Sequence, residues 1–239
     1  YAAIVSLDWF ENMDRHMQHS FQQFAFGCMT RSKKVTYENL RLRDSSFTDK
    51  VLNEFLETSN SQLPTSNSAA FTPFKIRELE LPNRIVMAPM GQYSATDGLV
   101  SDWHLVHYGS RATGGVGLII TEMTAISETG RITEGCAGIY NAEQLNQWKK
   151  ITNFIHNNTE TKIGIQLGHS GRKGATKKPW EGNGPMETPW NLISASPIPF
   201  NENFATPKEM TLEDMEEIKA QFVQATKNAD EAGFDMIEL

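Results

Sequence analysis

The chain has 239 residues, 39% hydrophobic and 21% charged, with a mean hydropathy of −0.44. Its net charge of −7 and pI near 5.4 argue against nucleic acid as the main partner. No apolar run approaches the roughly 18 residues of a bilayer span, and Cys28 and Cys136, lacking CxxC or metal-site spacing, read as reduced thiols of a cytoplasmic protein.

Near the start, Ile4, Leu7, Phe10, Met13, Met17, Phe21 and Phe24 recur every three or four positions, which predicts one apolar helix face. Val51, Leu52, Phe55 and Leu56 predict a second helix. A segment of about 57 residues is marginal as a domain of its own. Residues 1–57 therefore read as the mainly helical C-terminal end of an upstream domain, and Tyr1 is not a start methionine. Residues 58–70 are rich in Ser, Thr and Asn and carry Pro64, the composition of a linker.

From Phe71 the pattern alternates between strand and helix. A strand is expected over Arg84–Ala88 and is stopped by Pro89. A helix follows over Ser101–Ala112, with Ser101 or Asp102 as its cap. The second strand is expected over Gly117–Glu122, a helix over Ala142–His156, and the third strand over Lys162–Leu167. Residues 168–210 read as a long irregular loop. Thr211 and Asp214 form a capping box with Asp in place of Glu, opening a helix to about Ala232 that Gly233 ends. A fourth strand, Phe234–Leu239, comes last.

This alternation implies right-handed βαβ units and a parallel sheet. The first strand lacks the glycine-rich turn of a dinucleotide fold. Gly114-Gly115-Val116-Gly117 precedes its strand and reads as a tight helix-to-strand turn. The expected fold class is α/β, the first half of a (β/α)8 barrel, over residues 71–239.

In such a barrel the chemistry lies at the C-terminal strand ends. Those ends hold Ala88-Pro89-Met90-Gly91-Gln92-Tyr93, Glu122-Met123-Thr124 and Gln166-Leu167-Gly168-His169-Ser170. His104 and His107 are three apart on a helix, but without a third ligand they read as structural, and no metal site is expected. Ser170 lacks the Gly-x-Ser-x-Gly elbow of a serine hydrolase. Gln166 offers a donor and an acceptor together, which suits either a structural role or the imide edge of a flavin. Tyr93 suits either the core or a pocket wall. Arg172, Lys173, Lys177 and Lys178 form a basic cluster that could meet phosphates, or simply a solvated loop face.

Several motifs together carry a resemblance. Phe71-Thr72-Pro73-Phe74-Lys75-Ile76 and Leu81-Pro82-Asn83-Arg84-Ile85-Val86-Met87-Ala88-Pro89-Met90 resemble the opening of the Old Yellow Enzyme family. The likeness continues through His104-Leu105-Val106-His107-Tyr108, Gly117–Glu122, Gly130-Arg131, Ile165-Gln166-Leu167 and Ala232-Gly233-Phe234-Asp235. It implies an FMN-dependent NAD(P)H oxidoreductase on a (β/α)8 barrel. NAD(P)H would reduce FMN, which would pass hydride to an electron-poor double bond. It further implies that Ala88, Pro89, Met90 and Gly91 lie against the isoalloxazine, that Met123 approaches the ring, and that Gln166 bonds its pyrimidine edge. Tyr93 would line the substrate side. Gly91 departs from the family's cysteine or threonine at this position, which puts the redox tuning in question. The family's carbonyl-polarising His/His or His/Asn pair would begin where this chain stops, at Leu239. The chain by itself is thus expected to bind FMN poorly and to reduce nothing.

Trp9-Phe10-Glu11-Asn12, Phe24-Ala25-Phe26, Thr30-Arg31-Ser32 and Tyr37–Asp44 resemble the segment before the reductase in bifunctional aryl-CoA monooxygenase/reductases, of the anthraniloyl-CoA and salicylyl-CoA kind. That resemblance implies an upstream FAD domain and an aryl-CoA thioester as the small-molecule substrate, with a homo-oligomer as a further option. The other readings are a stand-alone NADPH dehydrogenase or 2,4-dienoyl-CoA-type reductase, and a non-catalytic scaffold barrel.

Overall fold

Strand and helix alternate through Pro73–Leu239 to build one parallel sheet with helices packed against it. The computed structural model describes residues 69–239 together with Ser45, Ser46 and Asp49. The helices expected over Ile4–Phe24 and Val51–Leu56, and the linker as far as residue 68, lie outside the described residues. The chain divides between Thr72 and Pro73, and the second unit is Pro73–Leu239. Among the described residues no helix is long and apolar enough to cross a membrane.

The unit opens on a hairpin that the sequence reading missed. Strands β1 (Phe74–Ile76) and β2 (Leu79–Leu81) pair antiparallel around Arg77, whose φ is +51°. The first parallel strand, β3, is only Val86–Met87, shorter than expected. Before it, Asn83 does the pairing with its side chain. Asn83 Nδ2 donates to the Gly115 carbonyl at 2.8 Å, and Asn83 Oδ1 accepts the Ile85 N–H. Gly117 is required here, since a Cβ would stand 2.2 Å from the Asn83 carbonyl oxygen. After Met87, Pro89 brings no N–H to a ladder.

Helix α1 (Asp102–Thr113) starts at Ser101 as expected, and Gly115 at φ +85° turns the chain into the next strand. Strand β4 (Leu118–Ala125) runs three residues beyond Glu122, and its register against its neighbour shifts between Ile120 and Met123. Asn141 caps α2 (Ala142–Asn158) by accepting the Gln144 N–H, and β5 (Lys162–Gly168) follows. The expected irregular loop carries some order: turns at Gly171–Lys173 and Pro179–Glu181, and a parallel pair of short strands, β6 (Ile193–Ser194) and β7 (Lys208–Glu209). Helix α3 (Leu212–Glu231) opens on the Thr211–Asp214 box, each residue's side chain accepting the other's N–H. Gly233, at φ +87°, leads into β8 (Met236–Glu238).

The parallel sheet has the order β3-β4-β5-β8, so each βα unit adds its strand beside the last. A doubly wound sheet reverses its direction of growth; this one does not, and the arrangement is a partial (β/α)8 barrel. β4 and β5 are mostly buried, which fits a parallel sheet covered on both faces. The helix-facing core centres on Trp148, Tyr108, Ile119, Ile155, Ile163 and Ala229. Trp148 is fully buried, its indole N–H donates to the Gly138 carbonyl at 3.1 Å, and its ring meets Phe234 edge-on. Asp235 ties β8 in place, since its Oδ2 accepts the Ile163 N–H at 2.8 Å and pairs with His156 at 2.9 Å.

Trp148→Ala should destabilise the unit by about 3–5 kcal/mol through the cavity alone. Trp148→Phe should cost less, chiefly by leaving the Gly138 carbonyl without its donor. Urea denaturation of both variants checks the order.

Candidate functional site

The ends of β3, β4 and β5 converge on one rim. Met123 of β4 and Gln166 of β5 are register partners there. The residues following β3 pass the same rim, where Ala88, Met90 and Gly91 are exposed and Pro89 is half-buried. Met90, three residues past β3, keeps 48% of its surface open to solvent.

Gly91 and Tyr93 are coupled by shape. A Cβ on Gly91 would lie 3.0 Å from Tyr93 Cζ and 3.3 Å from its hydroxyl oxygen. The phenol thus takes the space that a side chain at position 91 would use. Tyr93 holds this place from a left-handed backbone, φ +51°, with Trp180 edge-on at 6.3 Å. Burial raises the Tyr93 pKa, and the charges of Cys136 and Glu122 push the same way. The hydroxyl keeps its proton at neutral pH and is available as a donor.

On β5, Gln166 Nε2 donates to Glu238 Oε1 of β8 at 2.9 Å, a bond in which Gln166 Oε1 takes no part. Met123 folds over the end of β5, where a Cβ on Gly168 would meet its Cγ at 2.8 Å. The rim therefore offers an apolar ledge (Ala88, Pro89, Met90), a thioether and a primary amide. A flat ring system with a polar imide edge fits that donor set: the ledge suits its face and the amide suits its edge.

Behind the ledge lies a group whose role the sequence reading missed. Glu122 is placed mid-strand rather than at a strand end, and it is 1% exposed. Its Oε2 accepts the Gln92 N–H at 2.9 Å, and its Oε1 accepts the Tyr108 hydroxyl at 3.2 Å. Its own N–H donates to the Tyr108 oxygen at 3.1 Å. Burial, followed by the Glu122 charge, holds the Tyr108 pKa well above the ordinary phenol value, so Tyr108 stays a donor. The signal was present in the sequence, because an acid inside the run Leu118–Ala125 must find buried partners.

The two α1 histidines have different settings: the buried Nε2 of His107 has no hydrogen-bond partner among the described residues. His104 Nδ1 accepts the Ser101 N–H at 3.0 Å at the start of α1. Burial, then Arg111, lowers the His107 pKa. Among the described residues no cluster of three or more His, Cys, Asp and Glu could hold a metal ion. Ser170 and His169 do not pair: Ser170 Oγ donates to the Arg131 carbonyl, and His169 Nδ1 accepts the Gly171 N–H. The basic cluster is engaged piecemeal. Arg172 donates to Ser196, Lys173 sits over Phe200, Lys177 pairs with Glu187 and Lys178 with Glu181.

Residues 69–239 match the NADH:flavin oxidoreductase / NADH oxidase family, and the chain belongs to that family. It is 42% identical over 174 residues to an NADPH dehydrogenase of Listeria monocytogenes serotype 4a, covering 72% of this chain and 48% of the relative. It is 40% identical over 182 residues to an NADH:flavin oxidoreductase of Gibberella zeae, covering 73% and 44%. Among solved structures, Old Yellow Enzyme from Pichia sp. AKU4542 superposes with a TM-score of 0.62 at 31% identity, covering 73% of this chain and 46% of that one. Morphinone reductase gives 0.61 at 28%, covering 73% and 48%. The chain spans about half the length of these relatives.

Gly91→Thr should force the Tyr93 ring out of its present place, and a crystal structure of the variant reads this directly; an unmoved ring would contradict the coupling. A second expectation concerns pH. Burial lowers the pKa of both His107 and His169, so both are neutral when folded and bind protons more readily when unfolded. Their contribution to stability is present above the ordinary histidine value of about 6.5 and lost as pH falls below it. The thermal midpoint should drop on that limb, and His169→Asn, which keeps an acceptor for the Gly171 N–H, should flatten it.

Proposed function

We propose that this chain supplies the flavin-facing strand ends of an FMN-dependent NAD(P)H oxidoreductase acting on an electron-poor double bond of a small molecule. One observation carries the reading: an exposed apolar ledge, Ala88–Gly91, stands beside Met123 and the Gln166 amide on a single rim. Family membership and relatives named NADPH dehydrogenase support it. FMN, when bound, supplies the reversible hydride chemistry.

The chain's own residues bind and orient. Ala88, Pro89 and Met90 form an apolar seat, and Gly91 keeps that seat clear of any side chain but the Tyr93 ring. Gln166 presents an amide donor and acceptor to an imide edge, with Glu238 fixing its rotation. Met123 closes the seat on the β4 side. Tyr93, still protonated, faces the substrate side as a hydrogen-bond donor.

The finer reading is a reductase fused behind an FAD-dependent monooxygenase and acting on an aryl-CoA thioester. It rests on the motifs between Trp9 and Asp44. The stand-alone reductase is favoured instead by relatives that are NADPH dehydrogenases by name. A scaffold barrel without catalysis is the reading that absence of FMN would leave, and a missing His pair after Leu239 would support it.

The full-length gene product should bind about one FMN per chain, and Gln166→Leu should weaken that binding about tenfold through its lost amide bonds. Identification of the released flavins separates the readings. FMN with FAD supports the fusion and FMN alone the stand-alone reductase, while absence of FMN overturns the flavin assignment.

A further inference from the structure

We infer that Glu122 is a positioning residue: a carboxylate buried behind the rim that sets the conformation of Met90–Tyr93, the stretch of chain in which the ledge ends. The inference deepens the flavin reading and rests on it only where FMN affinity is the readout.

The ledge belongs to no strand, so its backbone groups find no ladder partners. Its hydrogen bonds come from elsewhere, and they converge on Gln92. The Gln92 N–H is held by Glu122 Oε2 at 2.9 Å. The Gln92 side chain turns back, with Nε2 donating to the Met90 carbonyl at 2.9 Å and Oε1 accepting the Trp103 indole N–H at 3.2 Å. Gln92 is thus fastened to β4 through its backbone and to α1 through its side chain. Tyr93, next in the chain, is held in a left-handed conformation that a non-glycine residue rarely takes unaided.

Glu122 is itself fixed from both directions. Tyr108, fully buried on α1, donates to Oε1 and accepts the Glu122 N–H. His104, also fully buried, accepts the Ser101 N–H at Nδ1. Its ring proton is thereby placed on Nε2, which lies 3.3 Å from Glu122 Oε1 without the alignment of a hydrogen bond. Both carboxylate oxygens face donors, and a carboxylate so placed rotates little. The path from the α1 cap to the ledge is therefore a chain of direct contacts: Ser101, His104, Glu122, Gln92 and the Met90 carbonyl.

Amide hydrogen exchange on the full-length gene product tests this without flavin. In the wild type, the Gln92 amide should exchange about a hundredfold more slowly than an unprotected amide, though it lies outside any strand. Free exchange at Gln92 overturns the inference whether or not any variant folds. Glu122→Ala should speed exchange across residues 88–95 about tenfold, leave β5 unchanged, and raise the FMN dissociation constant about tenfold. Glu122→Gln should recover the slow Gln92 exchange only in part, because its amide oxygen can accept the Gln92 N–H while its NH2 faces the Tyr108 hydroxyl and the His104 Nε2–H, which both point at Oε1 in the wild type. An alanine variant with wild-type exchange contradicts the brace. A wild type that binds no FMN overturns the functional reading instead, and the exchange results still decide the role of Glu122.

Discussion

A carboxylate buried inside a parallel sheet must have its hydrogen bonds met, and Glu122 imposes that constraint on everything around it. Removing one partner of a buried charge costs far more than a surface pair contributes. The helix after β3 therefore has to bring Tyr108 to within bonding distance, and the ledge has to bring the Gln92 N–H. The same requirement fixes α1 against β4 in register and in rotation. Apolar packing of Tyr108 against Trp148 then completes what the polar contacts begin.

The sheet turns that local constraint into a functional surface. Parallel strands added in one direction bring their C-terminal ends to a common rim, and the loops that follow inherit it. Backbone that leaves the ladder at Met87 is free to form a ledge, and it is held there by side chains instead of by a neighbouring strand. A ledge held in this way would suit the planar cofactor proposed for it, because a seat already shaped for its occupant loses little entropy on binding. Gly91 and Tyr93 show the same economy, with one aromatic ring occupying the space left by a missing side chain.

Much of this was legible in the sequence. The βα alternation, the Ser101 and Thr211 caps and the Gly115 and Gly233 turns follow from local chemistry, and the structure bears them out. Reading strand ends in a barrel brings up Ala88–Tyr93, Glu122–Thr124 and the stretch from Gln166, and the family resemblance is what singles out Ala88–Gly91, Met123 and Gln166 among them. What was not legible depends on distant partners. β3 is only two residues long, and just before it Asn83 uses its side chain for one bond to a turn 32 positions away and one to its neighbour Ile85. β4 extends to Ala125 because Glu122, which looks like a strand terminus, has its hydrogen bonds met by Tyr108 of α1 and by the Gln92 N–H. The basic run at Arg172–Lys178 resembles one patch in sequence, yet its members pair with separate neighbours. The β1–β2 hairpin is short, and both β1 and its turn lack the usual glycine signal, so it left little trace.

A crystal structure of the full-length gene product grown with FMN is the most direct measurement. The isoalloxazine should rest on Ala88–Gly91 with Gln166 at its pyrimidine edge, and the Gln92 N–H should still point at Glu122. A flavin bound elsewhere on the molecule, or a ledge released from Glu122 in the complex, would contradict the roles assigned to these residues.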